Sequence, residues 1–395
     1  LKSSAFEPRR TRRWARKARA PPDAEALACA ARRQPRPAAR INVHMGCLKK
    51  CGGCCLVLIP IVAVLLGEAQ RRLWYRVLMD CSRPEIPLIP AQDAANYEMM
   101  NVVYSSDLRN FPGLLSGMIS LARHLGEPEK CTIHIIVPAK DLAGAEDLME
   151  CFKREVSAPP AVRAIPKVQL HATRPVPLNL EKLSDGLFTH LVVNDQLWSQ
   201  FYIADYLPGE RRALWLDTDT IVVTDIAPYY RMQMKHVFAA SPESRHVAGA
   251  EPGHLKTWHR TADHAHNVTE DTYFNAGILL IDLERWRREA VSDLLKQWFS
   301  RTHSDATNSS LLVSNQLVLN LAFQGGNLDL VDWRWNLLGM GAPIPVPKLC
   351  VQEAHIFHFY GCLGFEVDNR KYWHKNRPGH CRWNEYVIEP YLPKQ

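Results

Sequence analysis

No internal repeat runs through the 395 residues, which sets aside solenoid and propeller arrays. Outside the first 44 residues there is no excess of positive charge. The net charge is +7, but residues 1–44 hold twelve Lys/Arg against Glu7, Asp23 and Glu25. That balance of +9 leaves about −2 for the remainder (7 − 9). A folded part with no basic excess is not read as a nucleic-acid binder. Residues 1–44 also lack any apolar period and consist largely of Arg, Ala and Pro, so they are expected to be disordered. No Met precedes Met45. This basic extension is therefore read as a gene-model artefact ahead of a start at Met45, or else as an Arg-rich, acid-poor transit peptide.

Charge is absent from Cys51 to Gly67, a run of 17 residues at the lower end of a membrane span. Gly52, Gly53 and Pro60 weaken the run, while Lys49 and Lys50 before it would keep that side cytoplasmic. Residues 45–71 are read as a signal anchor that meets the membrane through 51–67. A cleaved signal peptide and a buried core helix are the alternatives. Cys47, Cys51, Cys54 and Cys55 crowd this segment with no His nearby, which suits palmitoylation better than zinc. Cys81, Cys131, Cys151, Cys350, Cys362 and Cys381 follow it. They are compatible with disulfides in a lumenal protein, with the pairing open. Residues 72–98, with Pro84, Pro87 and Pro90, read as a stem.

The remainder has the makings of a globular domain. Strands are expected at 101–104, 132–137, 168–171, 236–240 and 356–361, and helices at 114–125, 141–155, 195–207, 284–301 and 317–323. This alternation predicts an α/β fold with a mostly parallel mixed sheet, in which ligands bind at the carboxyl ends of strands. Leu214-Trp215-Leu216-Asp217-Thr218-Asp219-Thr220-Ile221-Val222 carries two carboxylates one residue apart inside an apolar strand. On a strand they would point to one side, at a strand end or break, and attract a hard divalent ion, Mg²⁺ or Mn²⁺. The same rim should hold Tyr104 to Asp107. Asn275 and Gly277 read as a turn before a buried strand, with Gly277 supplying a special backbone conformation. His358, alone in an apolar strand, reads as a core residue. Five histidines between His246 and His266 read as a solvated loop rather than a zinc site. Asn267-Val268-Thr269 and Asn308-Ser309-Ser310 are sequons usable only in a lumen.

Seven motifs occur in one order: Val102-Val103-Tyr104-Ser105-Ser106-Asp107 with Gly113; Phe201-Tyr202-Ile203 to Leu207-Pro208; Leu216-Asp217-Thr218-Asp219-Thr220; Phe274-Asn275-Ala276-Gly277; Asn315-Gln316 with Leu319-Asn320; Trp335-Asn336; and His358-Phe359-Tyr360-Gly361. In this order the stretch from Asn101 to Gly361 resembles glycosyltransferase family 8, the glycogenin, galactosyltransferase-like and xylosyltransferase-like retaining enzymes. The resemblance implies a single-domain, Rossmann-like nucleotide-diphospho-sugar transferase fold over 99–362, leaving 363–395 as a tail. It implies that Tyr104, Ser105, Ser106 and Asp107 line the uracil and ribose pocket. Asp217, Asp219 and His358 would bind Mn²⁺, a donor set that suits Mn²⁺ better than Mg²⁺. Gly361 would lie against the diphosphate, and Asn275 and Gln316 would contact the transferred sugar near its anomeric carbon.

The implied activity is Mn²⁺-dependent transfer of a hexose or pentose, with retention, from a UDP-sugar to a glycan or glycoprotein hydroxyl. The expected setting is the Golgi membrane, single-pass type II, with a secreted or organelle-targeted form as the alternative. The second reading is a non-catalytic binder of nucleotide-sugar or glycan. A metal-dependent phosphohydrolase would need more carboxylates around the metal. Oligomeric state is open. The chain departs from the family at three positions: Gln200 stands where Arg or Lys is frequent, Asn315 where Asp is frequent, and Gly364 where Lys is frequent. Arg370, Lys371 or Lys375 could replace the missing phosphate contact.

Overall fold

Runs of Val, Ile and Leu form ten strands among the residues that the computed structural model describes. These are 81, 84–108, 110–157, 164–174, 195–243, 273–306, 314–323, 327–340 and 346–359, all within one unit, Leu66–Gln395. In chain order the strands are β1 (Met100–Ser105), β2 (Cys131–Val137), β3 (Lys167–Ala172), β4 (Arg212–Leu216), β5 (Thr220–Val222), β6 (Phe238–Pro242), β7 (Phe274–Asp282), β8 (Asp329–Leu330), β9 (Leu337–Met340) and β10 (Ile356–Phe359). The longer helices are α1 (Phe111–His124), α2 (Leu142–Ser157), α3 (Val291–Ala306) and α4 (Asn315–Ala322).

Seven strands make one mixed sheet in the order β3-β2-β1-β4-β7-β6-β8. Its β3-β2-β1-β4 part is parallel, and β7 is antiparallel to both of its neighbours. Both faces are covered, which is why β1 and β2 are buried on both sides and largely apolar. Alternation along β1 sends Val103 to the core on one face, and Val102 and Tyr104 to the core on the other. These three side chains are wholly buried. Removing the bulk of one, as in Val102→Ala, would cost on the order of 1–3 kcal/mol.

A second sheet, β5-β10-β9, lies where the chain leaves β4. β5 pairs antiparallel with β10, setting Thr220 opposite His358. The small core behind it contains Ile221, Leu337, Met340, Phe357 and Phe359. A disulfide between Cys81 and Cys350, with Cα atoms 5.2 Å apart, ties the start of the described chain to it. Part of the stretch read as a stem is also attached to the domain. Gln233 N donates to Ile89 O at 2.7 Å, Ala91 N to Arg231 O at 2.9 Å, and Ile86 N to Asp332 at 3.1 Å.

Two expected helices are broken. The 195–207 stretch is two short α-helical turns around a 3-10 turn, Ser199–Tyr202. The 284–301 stretch splits into Leu283–Arg288 and α3, because Ala290 adopts a positive φ of 50° between them. Residues 1–71, the histidines and sequon of 244–272, the sequon at 308–310, Gly361 and the tail 363–395 lie outside the described residues. Among those described, no helix is long and apolar enough to cross a membrane.

Candidate active site

The large sheet ends in a turn that holds the paired carboxylates. β4 closes at Leu216, and the chain re-enters order in the small sheet at Thr220. Asp217 and Asp219 therefore sit in a turn, and it is the turn, not strand alternation, that brings them together. Its hydrogen bonds come from Thr220, whose N and Oγ1 donate to Asp217 O at 3.2 and 2.7 Å. Trp215 Nε1 donates to Asp217 Oδ1 at 2.9 Å and holds that carboxylate at the sheet end. Because β1 runs parallel to β4, with Val103 beside Trp215, the Ser105–Asp107 segment leaves the same rim. That part of the expectation holds.

His358 reaches this turn through the small sheet. Phe359 N donates to Asp219 O at 2.9 Å, and His358 Nε2 lies 3.3 Å from Asp219 Oδ1. One potential ligand atom from each of Asp217, Asp219 and His358 falls within 4.8 Å of the others. Two ligands side by side on a small divalent ion, each about 2.1 Å from it, are about 3 Å apart. The donor set, two carboxylate oxygens and an imidazole nitrogen, suits Mn²⁺ or a related divalent ion. His358 is thus both buried, at 6% exposure, and part of the cluster.

Gly277 makes the cluster possible by its size. It lies inside β7, not in a turn before it, and it is not among the residues with positive φ. A Cβ at this position would come 2.3 Å from His358 Cε1 and 2.9 Å from Asp217 Oδ2. The expected special backbone conformation is therefore replaced by a steric requirement: only hydrogen fits between these two side chains.

On the β1 side the four expected nucleotide-pocket residues separate. Tyr104 is wholly buried, and its hydroxyl lies beside Gly117 of α1. Burial raises its pKa. The alternation of β1 turns this ring into the core, so it is not part of a pocket wall. Ser105 remains at the rim, where its hydroxyl accepts from Ser199 Oγ at 3.0 Å and lies 3.3 Å from Gln196 O. Ser106 is buried, with its hydroxyl 3.2 Å from Asp107 O. Asp107 accepts from Asn110 N and Nδ2 at 3.2 and 2.9 Å. The structure thus keeps Ser105, Ser106 and Asp107 together at the strand end.

On the β7 side Asn275 and Gln316 touch directly: Asn275 Nδ2 donates to Gln316 Oε1 at 3.1 Å. Gln316 is presented by α4, whose first turn is capped by Ser314 Oγ accepting from Leu317 N. The same Gln316 oxygen accepts from Ala276 N at 3.1 Å. Its Nε2 donates to Glu243 and, at 3.2 Å, to Tyr273 Oη. Gln200 is wholly buried and donates to Ala276 O at 2.9 Å.

Glu243, Tyr273 and the contacts of Asn336 were not anticipated. Desolvation raises the Glu243 carboxyl to about 7, against the lowering influence of the Gln316 hydrogen bond and of His358. A signal for Glu243 was present. It directly follows β6, which runs parallel to β4, so it stands at the carboxyl end of a strand on the ligand-binding rim. Asn336 lies in the Trp335-Asn336 motif, but nothing in that dipeptide says what its amide touches.

The model of the family described as Glycosyl transferase family 8 matches residues 190–376, a stretch that spans the carboxylate turn, Asn275, Gln316 and His358. Two proteins of Arabidopsis thaliana are similar over most of their length. Probable galacturonosyltransferase-like 7 is 25% identical over 275 residues, 68% of each chain. Probable galacturonosyltransferase-like 3 is 25% identical over 258 residues, 64% of this chain and 69% of that one. Among solved structures, the galactosyltransferase LgtC with donor and acceptor sugar analogues superposes with a TM-score of 0.49 at 16% identity, covering 74% of this chain and 94% of that one. With the family match and these relatives converging on the region that builds the carboxylate turn, the chain is similar to glycosyltransferase family 8 and is a glycosyltransferase.

Proposed function

We propose that the protein is a Mn²⁺-dependent retaining transferase that moves a hexose or pentose from a UDP-sugar to a hydroxyl of a glycan or glycoprotein in the secretory pathway. The observation that carries this reading is the convergence of Asp217, Asp219 and His358 within 4.8 Å, with Gly277 leaving the space they need. A divalent ion held there supplies positive charge against the diphosphate and stabilises UDP as it departs. Ser105, Ser106 and Asp107 would line the uridine side of the rim, and Gly361, which lies outside the described residues, is kept from the family resemblance as the residue against the diphosphate. Asn275 keeps one amide hydrogen for a sugar hydroxyl, while Gln316, whose hydrogen-bonding positions are filled by Asn275, Ala276, Glu243 and Tyr273, borders the sugar and holds Asn275 in place. The acceptor hydroxyl attacks from the face that UDP leaves, and the departing phosphate takes its proton, so no strong protein base is required.

The Cys81–Cys350 disulfide, with Cys151 also disulfide-bonded, supports an oxidising compartment. Together with Lys49, Lys50 and the uncharged 51–67 run, it favours a type II Golgi membrane protein with a lumenal catalytic domain. The relatives' names place a uronic-acid donor in the test set beside hexoses and pentoses.

The test is UDP release across UDP-glucose, UDP-galactose, UDP-xylose and UDP-galacturonate, with Mn²⁺ and with a chelator. Turnover of one donor, lost on chelation and in Asp219→Asn, is the expected result. UDP binding without turnover of any donor would replace the enzyme reading with that of a binding protein.

A further inference from the structure

A single chain of side-chain hydrogen bonds joins the metal cluster to the sugar-side residues. His358 Nδ1 lies 3.0 Å from Asn336 Oδ1. Asn336 Nδ2 donates to Asn275 Oδ1 at 3.1 Å. Asn275 Nδ2 donates to Gln316 Oε1 at 3.1 Å, and Gln316 Nε2 donates to Glu243. Its members come from β10, the turn before β9, β7, α4 and the residue after β6, so no local sequence feature announces it.

The direction of the chain is set by the backbone of β7. Gly277 N donates to Asn275 Oδ1 at 2.9 Å, and Ala276 N donates to Gln316 Oε1 at 3.1 Å. A backbone N–H can only donate, so each of these oxygens is an acceptor and each amide must present its nitrogen to the next member. Asn336 therefore gives its nitrogen to Asn275 and its oxygen to His358. An oxygen facing Nδ1 requires a proton on Nδ1, so Nε2, 3.3 Å from Asp219, is the ring nitrogen left to ligate a metal.

We infer that Asn336 is a positioning residue that sets His358 as the Nδ1–H tautomer competent to ligate a metal through Nε2, and that Glu243 terminates the same chain by holding the Gln316 amide. The inference rests on the metal reading proposed above and adds residues to it. Gln316 uses both lone pairs, on Asn275 and Ala276, and both amide hydrogens, on Glu243 and Tyr273. Its amide cannot rotate without breaking four bonds. Ligand histidines commonly owe their orientation to a partner on the other ring nitrogen, and losing that partner weakens metal binding about 10–100-fold.

The experiment uses the metal-free full chain, ¹⁵N-labelled at histidine, with His358→Gln identifying the His358 signals. Nitrogen chemical shifts distinguish a protonated Nδ1 from a protonated Nε2. The wild type is expected to carry the proton on Nδ1 and Asn336→Leu to lose that preference, with calorimetric Mn²⁺ affinity falling about 10–100-fold. Asn336→Asp keeps an acceptor for Nδ1–H but no donor for Asn275. It should hold the tautomer and stay within about threefold of wild-type Mn²⁺ affinity, yet turn over more slowly. Glu243→Leu should leave Mn²⁺ affinity nearly unchanged and lower kcat about tenfold or more, with Glu243→Gln restoring most of it. If Asn336→Leu does not fold, the Asp variant and the Glu243 pair decide alone. An Nε2–H tautomer in the wild type, or equal Mn²⁺ affinity and tautomer in a folded Asn336→Leu, overturns the inference. A wild type that binds no Mn²⁺ overturns the metal reading instead, while the tautomer still decides whether the chain runs as described.

Discussion

Asn315 Nδ2 donates to Gln200 Oε1 at 3.1 Å, so two of the three positions where this chain departs from the glycosyltransferase family 8 pattern are hydrogen-bonded to each other. Where the family resemblance leads to an expected cation at one and a carboxylate at the other, this chain has a neutral amide pair. Taken singly, each departure reads as a missing charge in the site. Taken as a pair, they make a contact and carry no net charge, as a cation and a carboxylate together would.

This pairing predicts coupled mutants. Gln200→Arg alone places a charge at a position with 0% exposure, and an unpaired buried charge costs about 3–5 kcal/mol. Adding Asn315→Asp should recover at least half of that loss. A denaturant double-mutant cycle measures the coupling; additive losses would show that the two sites do not act together.

Gly277→Ala should abolish the metal cluster while sparing most of the fold. Its Cβ would overlap His358 Cε1 and crowd Asp217 Oδ2. Strand residues otherwise accept Ala readily, so the damage should concentrate on the two side chains it displaces. Mn²⁺ affinity is expected to fall by about 100-fold or more, beyond the loss of one supporting hydrogen bond. The check is calorimetric titration alongside thermal melting; wild-type affinity would contradict the steric account.

His134 on β2 predicts acid lability. Burial, with His171 and Lys167 adding to it, holds the imidazole down to about 4 from 6.5. Its Nδ1 lies 3.0 Å from His171 Nε2 and its Nε2 lies 3.1 Å from Asn101 Oδ1, while Asn101 Nδ2 donates to Glu210 at 2.8 Å. The unfolded chain binds a proton at this residue more readily than the folded one. Stability from this site is therefore complete above about 6.5 and is lost as pH falls towards about 4, by up to about 3 kcal/mol. Denaturation midpoints between these pH values should slope less steeply in His134→Gln than in the wild type.

Reduction of Cys81–Cys350 should lower stability without touching the site. The bridge closes a separation of 269 residues, for which the chain-entropy estimate is on the order of 5 kcal/mol. Cys350→Ser should melt at a lower temperature than the wild type while retaining Mn²⁺ affinity. An unchanged melting temperature would mean that the hydrogen bonds of Ile86, Ile89 and Ala91 already hold this segment.

Several features of the fold were open to reading along the chain because they depend on near neighbours. The burial of β1, β2 and β4 follows from their largely apolar runs, and the parallel order follows from strands alternating with helices. The break in apolar character at Asp217 marks where β4 ends. Its location at a switch between two sheets explains why carboxylates can be held there. Tyr104 was misassigned because motif order names a segment, whereas strand alternation decides which of its side chains face the rim. The breaks at Ser199–Tyr202 and Ala290 were missed because amphipathic spacing continues across both.

The amino-acid sequence by itself determined the α/β alternation, the family motifs, and Asp217 and Asp219 as candidate ligands, because local pattern and residue chemistry suffice for these; His358 reads locally as a core residue and became a candidate ligand only through the family resemblance. Only the tertiary structure decided the partners of those residues. Gly277 serves the metal cluster because β7 passes beside His358 and Asp217. Gln200 faces Asn315 across 115 positions of sequence. Glu243 and Asn336 join the site because strand pairing and helix packing close distances that the chain's linear order leaves open.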